Sequence, residues 1–341
     1  MTEEASMTGM VGVSDRRGAP RILAGSRLMT FVLSLLLLLL GPAAALAQSK
    51  TIAVSFPNYS KQGAVIATLE QAKKRGSELG YTVVLDDPGD DLNRQVNTIK
   101  TWIAQKVPVI IAVALNPEVF EGLAKEARDA GTVWITYAAK LKNQDATVGF
   151  GLYEPALDLG KHAGTWIKDN LGDQAEVAIL GFEKGAWGQK RANGLKDGLR
   201  AVVPNVKIVA EQDAVSPAEG LDVTRTILQA HPKVNVILAV VDPAAEGAYK
   251  AWVNSGRDKS DPKAFIGGLD GSVTALRLLR DGNTVYRASM AIPLIDLGNA
   301  MAELANDIVS GSNPGDRMVP MVLVTSGSPL AQEYLEQQGA K

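Results

Sequence analysis

Several polar and aromatic residues stand directly after apolar runs, where the end of a strand would present them. Tyr59 and Lys61 follow TIAVS, Asn116 follows VIIAVAL, and Tyr137 follows VWIT. Trp187 and Arg191 follow AILGFE, Asp242 follows VILAVV, and Asp270 follows FIGGL. Asn116 can both donate and accept hydrogen bonds, Arg191 only donates, and the ionised Asp242 and Asp270 only accept. Tyr59, Tyr137 and Trp187 add aromatic faces, and Lys61 adds a cation. This set can hold a small molecule by hydrogen bonds and ring contact. Parts for bond-breaking chemistry are scarce. The chain has no cysteine, which removes thiol catalysis, Cys-ligated zinc, iron–sulfur clusters and disulfides. His162 and His231 lie in separate segments, leaving little material for a metal site or a Ser-His-Asp triad. Asp86, Asp87, Asp90 and Asp91 lack the spacing of a calcium loop. Gly149-x-Gly151 lacks the third glycine of a dinucleotide fingerprint, and no Walker A motif occurs, so neither a cofactor nor a metal is expected.

Each candidate also has a plainer reading. Asn116-Pro117 and Asp242-Pro243 both suit the start of a helix, a capping side chain followed by proline at the first position. Asp270 could cap as well, although Ser272 is better placed to do so. Tyr59, Tyr137 and Trp187 could pack at the core edge, and Lys61 could be a solvated loop cation. Arg191 precedes Leu195 and Leu199 at four-residue steps, on the same helical row as two apolar residues. It also falls near a helix start, where the macrodipole disfavours a cation. Both features predict that Arg191 points into a ligand site, with Asp270 as an acceptor on the facing wall; its plainer reading is a solvent-facing first-turn Arg whose stem covers apolar surface.

The elements that must position these groups alternate strand and helix. Strands are expected at 51–55, 83–85, 109–115, 133–136, 176–180, 206–210, 236–240, 264–269, 285–290 and 319–324. Amphipathic helices lie between them, for example through Leu92, Val96, Ile99 and Ile103. VIIAVAL has no polar face, as in a parallel strand covered on both sides. Open parallel sheets bind ligands beyond the carboxyl ends of their strands, which is where the candidate residues fall. With 341 residues, 46% of them hydrophobic, the chain is long enough for two lobes. A formal charge of -2, from 35 basic and 37 acidic side chains, argues against a nucleic-acid partner. Arg16, Arg17, Arg21 and Arg27 precede the apolar run 28–40, and Gly41-Pro42 and Ala45-Leu46-Ala47 follow. The run is short of the roughly 20 residues needed to span a bilayer. The pattern predicts a signal peptide over 1–47, cleavage before Gln48 and export as a soluble protein, with an uncleaved anchor as the alternative.

The segments IAVSFPNYSKQG, LDDPGDDLNRQVNTI, ALNP, QKRANGL, VVDPAAEGAYKA and GGLDG, in this order, carry a resemblance over nearly all of 50–340. The chain resembles the periplasmic sugar-binding proteins of the ribose-binding type, which serve ABC importers. The resemblance implies an α/β fold of two Rossmann-like lobes with parallel sheets, joined by a three-strand hinge (periplasmic binding protein type 1). It implies an N-terminal lobe of 50–150 plus 292–320 and a C-terminal lobe of 151–291 plus 321–341. Rotation is expected about connections near 149–155, 268–271 and 289–293. The family's sugar-contacting Asn, Arg and Asp match Asn116, Arg191 and Asp270. Its Asn-Pro-Phe-Phe-like stretch becomes Lys61-Gln62-Gly63-Ala64, its Asp-Arg becomes Ala138-Ala139, and its Asn-Asp becomes Val241-Asp242. Tyr59, Tyr137 or Trp187 would then supply the missing stacking surface. The implied function is that of a monomeric periplasmic receptor, not an enzyme. It would close on a small polyhydroxylated ligand and present it to a membrane ABC permease. Alternatives are a polyol, inositol or furanosyl signalling molecule as ligand, a chemoreceptor as partner, and an exported α/β enzyme.

Overall fold

The computed structural model describes residues 50–172 and 174–340; the expected signal peptide lies outside them. The strands, in chain order, are β1 (Thr51–Ser55), β2 (Thr82–Asp86), β3 (Val109–Ala112), β4 (Val133–Tyr137), β5 (Ala146–Phe150), β6 (Glu176–Gly181), β7 (Lys207–Asp213), β8 (Val236–Ala239), β9 (Phe265–Asp270), β10 (Tyr286–Ala291), β11 (Arg317–Val319) and β12 (Val322–Thr325). They form two six-stranded sheets, ordered β11-β5-β4-β3-β1-β2 and β12-β10-β9-β8-β6-β7. Pairings are parallel except for β12, which runs antiparallel to β10 at the edge of the second sheet. β3 and β8 are buried at every residue, as strands covered on both faces must be.

The covering helices are α1 (Gly63–Glu78), α2 (Leu92–Ala104), α3 (Pro117–Asp129), α4 (Tyr153–Leu171), α5 (Ala186–Val202), α6 (Pro217–Ala230), α7 (Asp242–Asn254), α8 (Val273–Asp281), α9 (Leu294–Val309) and α10 (Pro329–Gln337). Several starts carry side-chain caps: Asp91, Asn116, Ser216 and Ser272 each accept from a backbone N–H of the first turn. On the first sheet, α1 pairs with α9, while α2 and α3 pack together at β1 and β4. On the second sheet, α4 pairs with α5 and α6 with α7. The α4–α5 pair is close enough that a Cβ at Gly160 would overlap the Leu195 carbonyl oxygen, and one at Gly198 the Leu157 carbonyl oxygen. Leu195 and Leu199 are fully buried beside these glycines.

The chain crosses between the sheets at 151–152, 292–293 and 320–321. The expected crossing near 268–271 is corrected: β9 stays between β8 and β10 inside the second sheet. The apolar segment 319–324, expected as one strand, divides at Pro320-Met321 into β11 and β12, one in each sheet. Proline lacks the N–H that a continuous strand would use.

Candidate functional site

Arg191 lies in the second turn of α5 and is only 3% exposed. Its guanidinium donates to both oxygens of Asp270, from Nη2 to Oδ1 at 2.7 Å and from Nη1 to Oδ2 at 3.1 Å. Nη1 also donates to the Val240 carbonyl at 2.8 Å. A forked pair of this kind fixes both the position and the plane of the guanidinium. The buried Nε has no partner among the described residues. Three of the five N–H groups are thus held by protein. Asp270 is the more open partner, with 29% of its side chain exposed against 4% for Arg191. It ends β9 at φ 106°, and Gly271 follows at φ 72°. A non-glycine residue in that region costs on the order of 1–3 kcal/mol and persists only where its surroundings impose it. Asp270 belongs to the same sheet as the strands beside Arg191, so the expectation that it faces Arg191 from the other wall is corrected.

The opposite wall is aromatic. Phe56 follows β1, Tyr137 ends β4 and Phe150 ends β5. Tyr137 meets Phe56 edge-on at 5.0 Å and Phe150 at 6.3 Å. Burial, with the charge of Asp270 adding to it, pushes the Tyr137 phenol well above its ordinary pKa. The two walls meet at this point. The Arg191 guanidinium carbon lies 6.0 Å from the centre of the Phe150 ring and 5.8 Å from that of Trp187. Trp187, 37% exposed, packs on Phe182 at 5.1 Å. Ala138 takes a left-handed φ of 60° directly after Tyr137, and a Cβ at the adjoining Gly149 would press on its backbone at 3.0 Å.

The remaining candidates are placed differently. Asn116 caps α3, its Oδ1 accepting from Val119 N at 3.1 Å. Tyr59 and Lys61 form a single 3-10 turn, Tyr59 half-buried against the core and Lys61 exposed with Nζ 3.3 Å from Asn58 Oδ1. That turn is tied to the acidic loop rather than to Arg191. Asp87 accepts from Asn58 N, Ser60 N, Ser60 Oγ and Gly89 N. Burial opposes ionisation of Asp87, but these donors outweigh it and hold the carboxyl at about 2.

Asp242 does not reach the wall's surface. It is fully buried at the first position of α7, with Tyr286, Ser289 and the Ser272 backbone donating to its oxygens. As a ligand contact it is therefore corrected: it touches the site only through the turn it holds. Burial raises its pKa to about 8, the Asp270 charge adding and the three donors opposing. An ordinary unfolded aspartate titrates near 4. The folded state thus holds the proton more tightly. The associated stability is present below that unfolded value and lost as pH rises through about 8. Asp242→Asn should flatten the loss of stability between pH 5 and pH 9 measured by urea unfolding; an unaltered slope would assign the loss to other groups.

Sequence reasoning missed Phe56, Phe150 and Phe182. Their signal was present, since each ends a strand or follows one directly. It also missed Tyr286, Ser289 and Glu246, which become polar neighbours of the site only through the strand register and the helix α7.

Comparison with known proteins follows the same outline. Residues 52–313 match the family described as periplasmic binding protein domain. A ribose import binding protein of Bacillus subtilis is 26% identical over 245 residues, covering 71% of this chain and 75% of its own. A D-apiose import binding protein of Actinobacillus succinogenes is 27% identical over 208 residues, 60% of this chain and 65% of its own. Among solved structures, a periplasmic ribose ABC transporter protein from Conexibacter woesei superposes with TM-score 0.73 at 19% identity, over 84% of this chain and 95% of its own. A solute-binding protein from Bacillus halodurans with bound myo-inositol gives 0.69 at 20% identity, over 85% and 98%.

Proposed function

The chain belongs to the periplasmic binding protein domain family, and from that premise we propose that it captures a small, uncharged, polyhydroxylated ligand between its two sheets and delivers it to an ABC permease. The observation that carries this reading is the Arg191–Asp270 pair set against the aromatic wall of Phe56, Tyr137 and Phe150. Sugar hydroxyls each need a donor and an acceptor, and a polar group left unmatched on desolvation costs affinity. Arg191 retains the Nε hydrogen and one on Nη2, and Asp270 retains open lone pairs. The rings cover the apolar face of a pyranose, furanose or cyclitol. The charges of Arg191 and Asp270 cancel, so a charged ligand would find no counter-ion there. Binding across the sheet boundary draws the lobes together about the three crossings, and the closed form is what a permease would recognise. Export to the periplasm fits the leader-like N-terminus and the relatives' compartment.

A thermal-shift panel tests the proposal, with D-ribose, D-apiose, D-xylose, D-allose, L-arabinose, myo-inositol and allitol against D-glucuronate and D-glucosamine. At one hundred times its Kd a ligand adds about 2.7 kcal/mol, which is several degrees of Tm. At least one neutral compound should produce that rise, and the charged pair none. Stabilisation by glucuronate or glucosamine alone would overturn the reading of a neutral site.

A further inference from the structure

An aspartate in the first turn of a helix is usually solvated, favoured there by the helix dipole. Asp242 is instead enclosed by three elements. Tyr286 Oη donates to its Oδ1 at 2.8 Å from β10, and Ser289 Oγ, on the same strand, lies 2.8–2.9 Å from both oxygens. Ser272 N donates to its Oδ2 at 2.8 Å from the start of α8. On β9 the chain makes room for it: a Cβ at Gly268 would overlap Asp242 Oδ1. Glu246, one turn further along α7 and 8% exposed, accepts from Ser272 Oγ. Ser289 Oγ in turn accepts from Gly271 N at 3.2 Å. Asp242 and Glu246 therefore grip the turn 271–272 through the Gly271 amide, the Ser272 amide and the Ser272 hydroxyl. That turn directly follows Asp270, whose backbone and the next residue's both sit at positive φ. Asp270 and the Val240 carbonyl, two residues before Asp242, are the groups that aim Arg191.

We propose that Asp242 is a positioning residue of the binding site: its buried carboxyl group imposes the strained turn that aims Asp270 and Arg191, and fastens that turn to β10, from which the chain crosses to the other lobe. Tyr286 and Ser289 both hold Asp242 from that strand, Ser289 also taking the Gly271 amide, and the strand ends at Ala291. The claim rests on the reading of Arg191 and Asp270 as ligand anchors, but its geometry can be tested without a ligand.

The test is the side-chain nitrogen spectrum of Arg191 in the 15N-labelled protein, its signals identified by their loss in Arg191→Lys. A guanidinium held by two parallel bonds rotates slowly, so its two Nη groups should give separate signals at low temperature, and Asp270→Asn should merge them. Asp242→Asn and Ser289→Ala should merge them as well, in proteins whose circular dichroism shows them folded. Each should weaken binding at least tenfold for whichever of D-ribose, D-allose and myo-inositol the wild type binds. Separate Nη signals that persist in both variants would overturn the proposal, as would merged signals in the wild type. If Asp242→Asn does not fold, Ser289→Ala decides alone, because it keeps the Asp242 carboxyl with its Tyr286 and Ser272 bonds and removes only the Ser289 link between that carboxyl and the Gly271 amide. If the wild type binds neither these three probes nor any other neutral compound of the panel, the sugar reading is in error, while the Nη pattern still decides the positioning claim.

Discussion

Arg191→Ala is expected to weaken capture of the neutral ligand by about 2–4 kcal/mol, roughly thirty- to a thousandfold in Kd. The substitution removes the two donor hydrogens left for the ligand and leaves Asp270 without its partner. Part of the loss is therefore the cost of a carboxylate no longer neutralised beside the ligand. Arg191→Lys should recover little of it, since an ammonium cannot bind two carboxylate oxygens in parallel. The fold should survive. Asp270 reaches solvent and rehydrates, but the Val240 carbonyl loses its partner, at about 1–3 kcal/mol. This cost outweighs the gain from removing a cation near a helix start, about 0.3–1 kcal/mol. Calorimetric titration of both proteins decides the matter; equal affinities would take Arg191 out of the site.

The largest effect on stability is expected at Gly198. A side chain there would enter the Leu157 carbonyl oxygen, with Lys161 N and Gly160 Cα close behind. Backbone cannot yield as a flexible side chain can, so α4 and α5 would have to separate. Their separation would open the apolar layer of Leu159, Leu195 and Leu199, each fully buried. Overpacking a core costs roughly 1–3 kcal/mol where side chains can shift. Against backbone, Gly198→Val should cost about 3 kcal/mol or more, lowering Tm by about 6–12 °C. Gly122→Ala is the control. It is an exposed helix position with nothing near its Cβ, where alanine should gain about 0.5–1 kcal/mol. Differential scanning calorimetry would contradict the account if Gly198→Val melted with the wild type.

The contrast between these two positions shows what was legible in the sequence. The strand–helix alternation was, because runs such as VIIAVAL and the Leu92–Ile103 stripe are local patterns set by burial on two faces or one. Arg191 was legible for a related reason: a cation on an apolar row near a helix start is locally out of place. Asp242 was misjudged because its burial depends on Gly268, Tyr286 and Ser289, which are remote in sequence. The third crossing was hidden from the local pattern, since 319–324 reads as one apolar strand whichever sheets its halves join; only the lobe bounds implied by the family resemblance put a break at 320–321. The aromatic wall was half seen. Tyr137 was named, while Phe56 and Phe150 were not, although each lies at the carboxyl end of a strand.

A neutral ligand held between the Arg191–Asp270 pair and the aromatic wall should close the two lobes. Small-angle X-ray scattering of the wild type, with and without a saturating amount of the tightest neutral compound from the panel, tests it most directly. Closure requires the ligand to favour the closed state over the open one. The radius of gyration should fall on saturation, and should not fall for Arg191→Ala at the same ligand concentration. An unchanged wild-type profile at proven saturation would contradict the clamp.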